Sequence, residues 1–195
     1  MMLILQDYCS TEFIVSRSRF ISEAFPVTNG DEVRNLLKRQ KEKYSDATHV
    51  VHAFCTGLQG ENLGTSDAGE PSGTAGKPML EVIKGSKVTN ILITATRYFG
   101  GTLLGTGGLV RAYSDCAKKV LEIARVEEYI AKEDFSLSLS YNEHERIRKI
   151  LLDLGCEILA ENFSETVEIT GRIPQKDFSE LQLTVKNATG GKIIL

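Results

Sequence analysis

The chain reads as an α+β protein of two domains, and three observations support that reading. Apolar residues alternate with polar ones over Phe135, Leu137, Leu139 and Tyr141, the period of two that marks a half-buried strand. A helical pattern follows directly, with Ile147, Ile150, Leu151 and Leu154 on one face. Twelve of the 17 glycines fall between Gly57 and Gly108, so the first part is built around loops that need unusual backbone angles or close approach. The expected division is residues 1–130 and residues 131–195.

In the first part, Glu12 to Val27 is predicted as two short strands around the polar turn SRSR. Asp31 to Tyr44 is predicted helical, with Val33, Leu36 and Leu37 inward and a basic outer face of Arg34, Lys38, Arg39, Lys41 and Lys43. His49 to Thr56 and the more apolar Asn90 to Thr96 are predicted strands. A helix is expected at Lys77 to Lys84, with Pro78 in its first turn and Gly85 after its end, and another from about Leu109 to Ala124. In the second part, the strand through Phe135 leads to a helix capped by Asn142 with Glu145 and stopped by Gly155. Cys156 to Phe163 and Thr166 to Ile173 form a hairpin, Pro174 opens a helix with Phe178, Leu181 and Val185 inward, and Lys192 to Leu195 closes as a strand. That order, βαββαβ, is the ferredoxin-like arrangement, with both helices on one face of the sheet.

Composition narrows the function classes. The chain has 195 residues, 42% of them hydrophobic, which is enough to bury real cores. No apolar run reaches the roughly 18 residues of a membrane span, and no basic segment leads into an apolar one, so a cytoplasmic, non-membrane protein is expected. Cys9, Cys55, Cys116 and Cys156 stand far apart without a CxxC pair and read as reduced core residues, not as bridges or a zinc site. The net charge of −3 hides a positive stretch from Pro71 to Arg125, where eight Lys/Arg face three acids. From Ala131 onward eleven acids face eight Lys/Arg, and that acidic module suits docking better than catalysis.

Three motifs invite chemistry. HVVHAFC at 49–55 suggests a metal site, but strand alternation puts His49, Val51, Ala53 and Cys55 on one face and Val50, His52 and Phe54 on the other, so the two histidines cannot share an ion and no metal is expected. SDAGEPSGTAGKP at 66–78 is no phosphate loop, because Pro71 and Pro78 replace the first glycine and the magnesium-binding hydroxyl. It feeds a helix N-terminus, where free amides and Lys77 attract anions, or where Asp67 and Glu70 simply cap turns and neutralise the lysine. RYFGGTLLGTGGLVRAY at 97–113 misses the dinucleotide fingerprint, since Gly105, Gly107 and Gly108 have the wrong spacing. Its bare backbone lets amides approach a ligand, Arg97 and Arg111 bracket the gap, and Tyr98 and Tyr113 offer stacking surfaces. The rival is tight strand-to-helix packing, with the arginines paired to Asp67 or Glu70.

DAGEPSGTAGKPMLEVI at 67–83, TRYFGGTLLGTGGLVRAY at 96–113 and ATHVVHAF at 47–54 together closely resemble the IMPACT family, which includes bacterial YigZ-like members; the match spans most of Arg19 to Ala124. The resemblance implies a first domain with the fold of the second domain of a small-subunit ribosomal protein and of domain IV of elongation factor G. It also implies a ferredoxin-like second domain similar to domain V of that factor. It marks His49, Asp67, Gly69, Glu70, Pro71, Gly73, Thr74, Gly76, Arg97, Tyr98, Gly100, Gly101, Gly105, Gly107, Gly108 and Arg111 as a signature surface, without assigning chemistry. Ala68 stands where the family usually has a second aspartate, which argues against a paired-carboxylate or metal role for that loop. Eukaryotic members suppress an amino-acid-starvation kinase using an added N-terminal domain with no counterpart in this sequence, so only a general link to translation is carried over.

The expectation is a non-enzymatic, cofactor-free binding protein that touches RNA, the ribosome or translation factors. The glycine-rich cleft, with Arg97, Arg111 and Lys77, would hold phosphates, and Tyr98 would stack on a base. Two alternatives stand beside it. One is an enzyme on a small phosphorylated or acidic metabolite with His49 and Glu70 as acid and base. The other is a regulator that binds protein alone.

Overall fold

The computed structural model describes every residue except Met1, Leu58 and Ile194. The chain forms two compact units, one through Tyr129 and one from Ile130 onward. Among the described residues no helix is long and apolar enough to cross a membrane.

The first unit runs β1 (Leu3–Leu5), β2 (Cys9–Val15), β3 (Ser18–Pro26), α1 (Gly30–Lys43), β4 (His49–Thr56), β5 (Asn62–Ser66), α2 (Gly76–Ser86), β6 (Val88–Thr89), β7 (Ile91–Tyr98), α3 (Gly105–Glu122) and β8 (Val126–Glu128). Five strands form an antiparallel sheet in the order β2-β3-β7-β4-β5, with β7 at its centre. The turn between β2 and β3 places Ser16 and Arg17 at φ 46 and 68, the left-handed pair that suits a two-residue hairpin, here without glycine. A second small sheet, β6-β1-β8, joins the N-terminal strand to two segments that follow helices; periodicity did not reveal it, because its strands are only two or three residues long.

Strand alternation divides the large sheet between two cores. Phe20, Val51, Ala53, Ile91, Ile93 and Ala95 face α2 and α3, where Met79, Ile83, Ala112, Cys116 and Val120 complete the main core. Phe25, Leu92 and Phe54 face α1 and meet its Val33, Leu36 and Leu37, as the spacing predicted. Asn29 caps α1 by accepting from the amides of Asp31 and Glu32, and Glu32 reaches back to the Thr28 amide.

The second unit comprises β9 (Lys132–Leu139), α4 (Tyr141–Asp153), β10 (Glu157–Phe163), β11 (Val167–Pro174), a short 3-10 turn and α5 (Phe178–Ala188). Its antiparallel sheet has the order β10-β11-β9, and the inward residues of both helices join those of the strands in one core around Leu137, Ile147, Leu151, Ile169 and Leu181. Ser140, not Asn142, occupies the N-cap of α4, because β9 runs only to Leu139 and its hydroxyl is free to meet Glu143 at 2.6 Å. Lys192 and Ile193, expected in a closing strand, lie in none; Ile194 is outside the described residues.

Candidate functional site

The site begins with strand register. Arg97 on β7 pairs with Phe20 on β3 and with His49 on β4, so the three lie in one row across the sheet, on the face covered by α2 and α3. Buried neighbours on that face are mostly apolar, and an arginine there must find a counter-charge. Glu70, from the loop before α2, supplies it: its Oε1 accepts from Arg97 Nη1 at 2.7 Å and from the Tyr113 hydroxyl at 2.8 Å. Arg97 Nη2 also donates to Ser18 Oγ at 3.2 Å, and the guanidinium carbon lies 5.6 Å and 5.5 Å from the ring centres of Phe20 and Phe99. Burial first, and then the bond to Glu70, drives the Tyr113 phenol well above its ordinary pKa, so it stays a donor.

This arrangement corrects three expectations. Arg97 is 5% exposed and locked to Glu70, so it is not a free cation for phosphate. Tyr113 is fully buried and offers no stacking face. The N-terminus of α2 already holds an anion of its own, because Asp67 accepts from the amides of Gly73 at 2.8 Å, Ala75 at 3.0 Å and Gly76 at 2.8 Å. Burial works to raise the Asp67 pKa, and the three amides outweigh it, holding the carboxyl below its ordinary value. Thr74 is likewise turned inward, onto the Pro71 carbonyl at 2.6 Å.

Other predicted residues remain at the surface. Lys77 and Arg111 are exposed, and among the described residues neither forms an ion pair. Tyr98 is half-buried; its hydroxyl donates to Asp46 at 2.9 Å and one face of its ring lies 5.1 Å from the Arg19 guanidinium. Gly69 and Gly101 are exposed. Gly100 is required by packing, since a Cβ there would stand 1.9 Å from the Arg17 carbonyl oxygen. Helix α3 was expected after the glycine cluster, yet it begins at Gly105, so Gly105, Gly107 and Gly108 form its first turn. Leu104 at the N-cap brings no side-chain acceptor to that turn. Gly85, expected beyond the end of α2, lies inside it.

A cleft of about 430 Å³ opens over the row, with His49, Glu70 and Arg97 in its lining, the first turn of α3 on one side, and Phe99 and Leu103 among its apolar walls. His49 Nε2 lies 3.9 Å from Glu70 Oε2, and its Nδ1 is 2.9 Å from the Ala68 carbonyl. Phe99 and Leu103 were not singled out from the sequence, although they are 45% and 86% exposed; the signal available was their place as large apolar residues inside a glycine loop. His52 points to the opposite face, under α1, as alternation predicted; burial, then Lys41, lowers its pKa to about 4.

Comparison with known proteins agrees with this architecture. Residues 16–121 match the Impact N-terminal domain, and residues 137–192 match a domain of unknown function, DUF1949. An IMPACT family member from Haemophilus influenzae is 30% identical over 183 residues, covering 93% of this chain and 89% of the relative. The IMPACT family member YigZ from Escherichia coli is 29% identical over 183 residues, covering 93% and 90%. A crystal structure described as that of a hypothetical protein superposes with a TM-score of 0.73 at 28% identity, covering 98% of this chain and 94% of the other. With both domain models matched in order, this chain belongs to the IMPACT family.

Proposed function

We propose that the protein is a non-enzymatic binding protein of the translation apparatus, and that it engages RNA at the mouth of the cleft and along the groove between α2 and α3. The first turn of α3 carries this reading. Gly107 is exposed, its φ is ordinary, and a Cβ there would meet nothing within 4 Å, so the fold itself does not ask for glycine at that position. A bare, uncapped turn suits a phosphate held by amides. Arg111 stands one turn further on, and Lys77 and Lys118 line the groove between α2 and α3, where the one carboxylate among the described lining residues, Glu81, is paired with Lys84. The link to translation rests on the fold that the resemblance implies for the first domain. Titrating a fluorescent RNA oligomer at rising salt tests the reading: affinity falls steeply with salt if phosphates are held, and salt-independent binding, or none, removes it.

A second reading is favoured by one observation, the convergence of His49 and Glu70 in a cleft. As acid and base they would act on a small phosphorylated metabolite. Turnover of sugar phosphates by the purified chain, lost in His49→Ala, would establish it.

A further inference from the structure

The base of the cleft holds two acceptors with no donor between them. His49 Nδ1 lies 2.9 Å from the Ala68 carbonyl, and because a carbonyl only accepts, the ring hydrogen sits on Nδ1. In the neutral ring Nε2 is then a lone pair, and it faces Glu70 Oε2 at 3.9 Å, beyond hydrogen-bond reach whichever group carries a proton. The other Glu70 oxygen is occupied by Arg97 and Tyr113. Oε2 has no hydrogen-bond partner among the described residues, although the Glu70 side chain is only 3% exposed. That oxygen opens into the cleft, which both residues line, and it can accept only from a donor that enters there.

We propose that His49 and Glu70 read the vicinal diol of a ribose whose phosphate rests on the first turn of α3. A single hydroxyl has one hydrogen and cannot serve both acceptors, whereas two neighbouring hydroxyls donate one to each. Gly105 and Thr106 border the same cleft, so phosphate and sugar would be held at opposite ends of one ligand. The cleft, about 430 Å³, has the volume of a small-molecule site, and Phe99 on its wall gives a base a surface to stack on. This deepens the RNA reading and rests on it. The diol exists at the 3′ end of RNA and on free ribonucleotides, and neither within an RNA chain nor on DNA.

The test uses the full chain at low salt and fluorescence anisotropy, with an RNA oligomer ending in a free diol, the same oligomer ending in a 3′-phosphate, and DNA of the same sequence. The diol-ended RNA is expected to bind about tenfold more tightly than the other two, as each cleft-facing acceptor meets one hydroxyl. His49→Phe and His49→Asn are each expected to erase that preference by weakening the diol-ended RNA to the level of the blocked RNA. Displacement of the diol-ended RNA by AMP but not by deoxy-AMP would identify a free nucleotide as sufficient; displacement by neither would assign the polymer end. Equal binding of diol-ended and blocked RNA, or a preference that survives both His49 variants, overturns the inference and leaves the RNA reading standing. Binding of no nucleic acid overturns both.

Discussion

Glu70 Oε1 stands 2.7 Å from Arg97 Nη1, with the two side chains 3% and 6% exposed, and the pair closes the floor of the cleft. Breaking a buried pair from one side leaves a charge without a partner, which costs about 3–5 kcal/mol. Arg97→Met and Glu70→Leu are each expected to lose that much in urea unfolding, and the double variant is expected to lose clearly less than their sum. Additive losses would show that the two side chains are not coupled.

Asp67 is an internal anion for α2. Asp67→Ala is expected to lower stability by about 1–2 kcal/mol, since three amides lose their acceptor. The folded pKa lies below the ordinary carboxylate value, so the stabilisation is complete above that value and is lost as pH falls through the depressed one. The gap between wild type and variant therefore narrows in acid. A gap independent of pH would mean that the charge contributes nothing beyond the hydrogen bonds.

Burial keeps His52 neutral where Asp67 is kept charged, yet acid is again the destabilising direction. Its folded pKa is about 4 against 6.5 for a free ring, so between these values the unfolded chain binds the extra proton and stability falls with falling pH, by about 3 kcal/mol at most. His52→Gln is expected to flatten the stability profile between pH 6.5 and 4, measured by thermal unfolding across that range. An unchanged profile would place the acid sensitivity elsewhere.

Surface and buried cations should separate in function. Arg111→Ala is expected to leave the melting temperature unchanged while weakening RNA binding at every sequence and lowering the salt slope by about one. Arg97→Met is expected to act through stability instead.

Gly107→Ala gives a direct contrast between fold and ligand. Alanine is the better helix residue by up to about 1 kcal/mol, and the space around this Cβ is empty, so the variant should be slightly more stable. It should also bind RNA less well, because the methyl group stands over the amides of the first turn. Unaltered binding would remove that turn from the interface.

Local pattern was enough for the elements of both domains whose faces repeat: alternation separated His49 from His52, and helical spacing placed Val33 and Leu151 inward. Motif chemistry also ruled out the phosphate loop and the dinucleotide fingerprint; of the residues that the resemblance marked, His49, Gly69, Glu70, Pro71, Arg97 and Gly105 line the cleft, whereas Phe99 and Leu103 were not among them. What the chain order could not say was which charges meet. Glu70 and Arg97 are 27 positions apart, and only the register that sets Arg97 in the covered row of the sheet turns them into a buried pair. The same register buries Tyr113 and leaves Arg111 in water, because α3 presents one face to the sheet and the other to solvent. Burial and partner choice arise from contacts distant in sequence, so only the packed tertiary structure could decide which cation holds the fold and which remains available to a ligand.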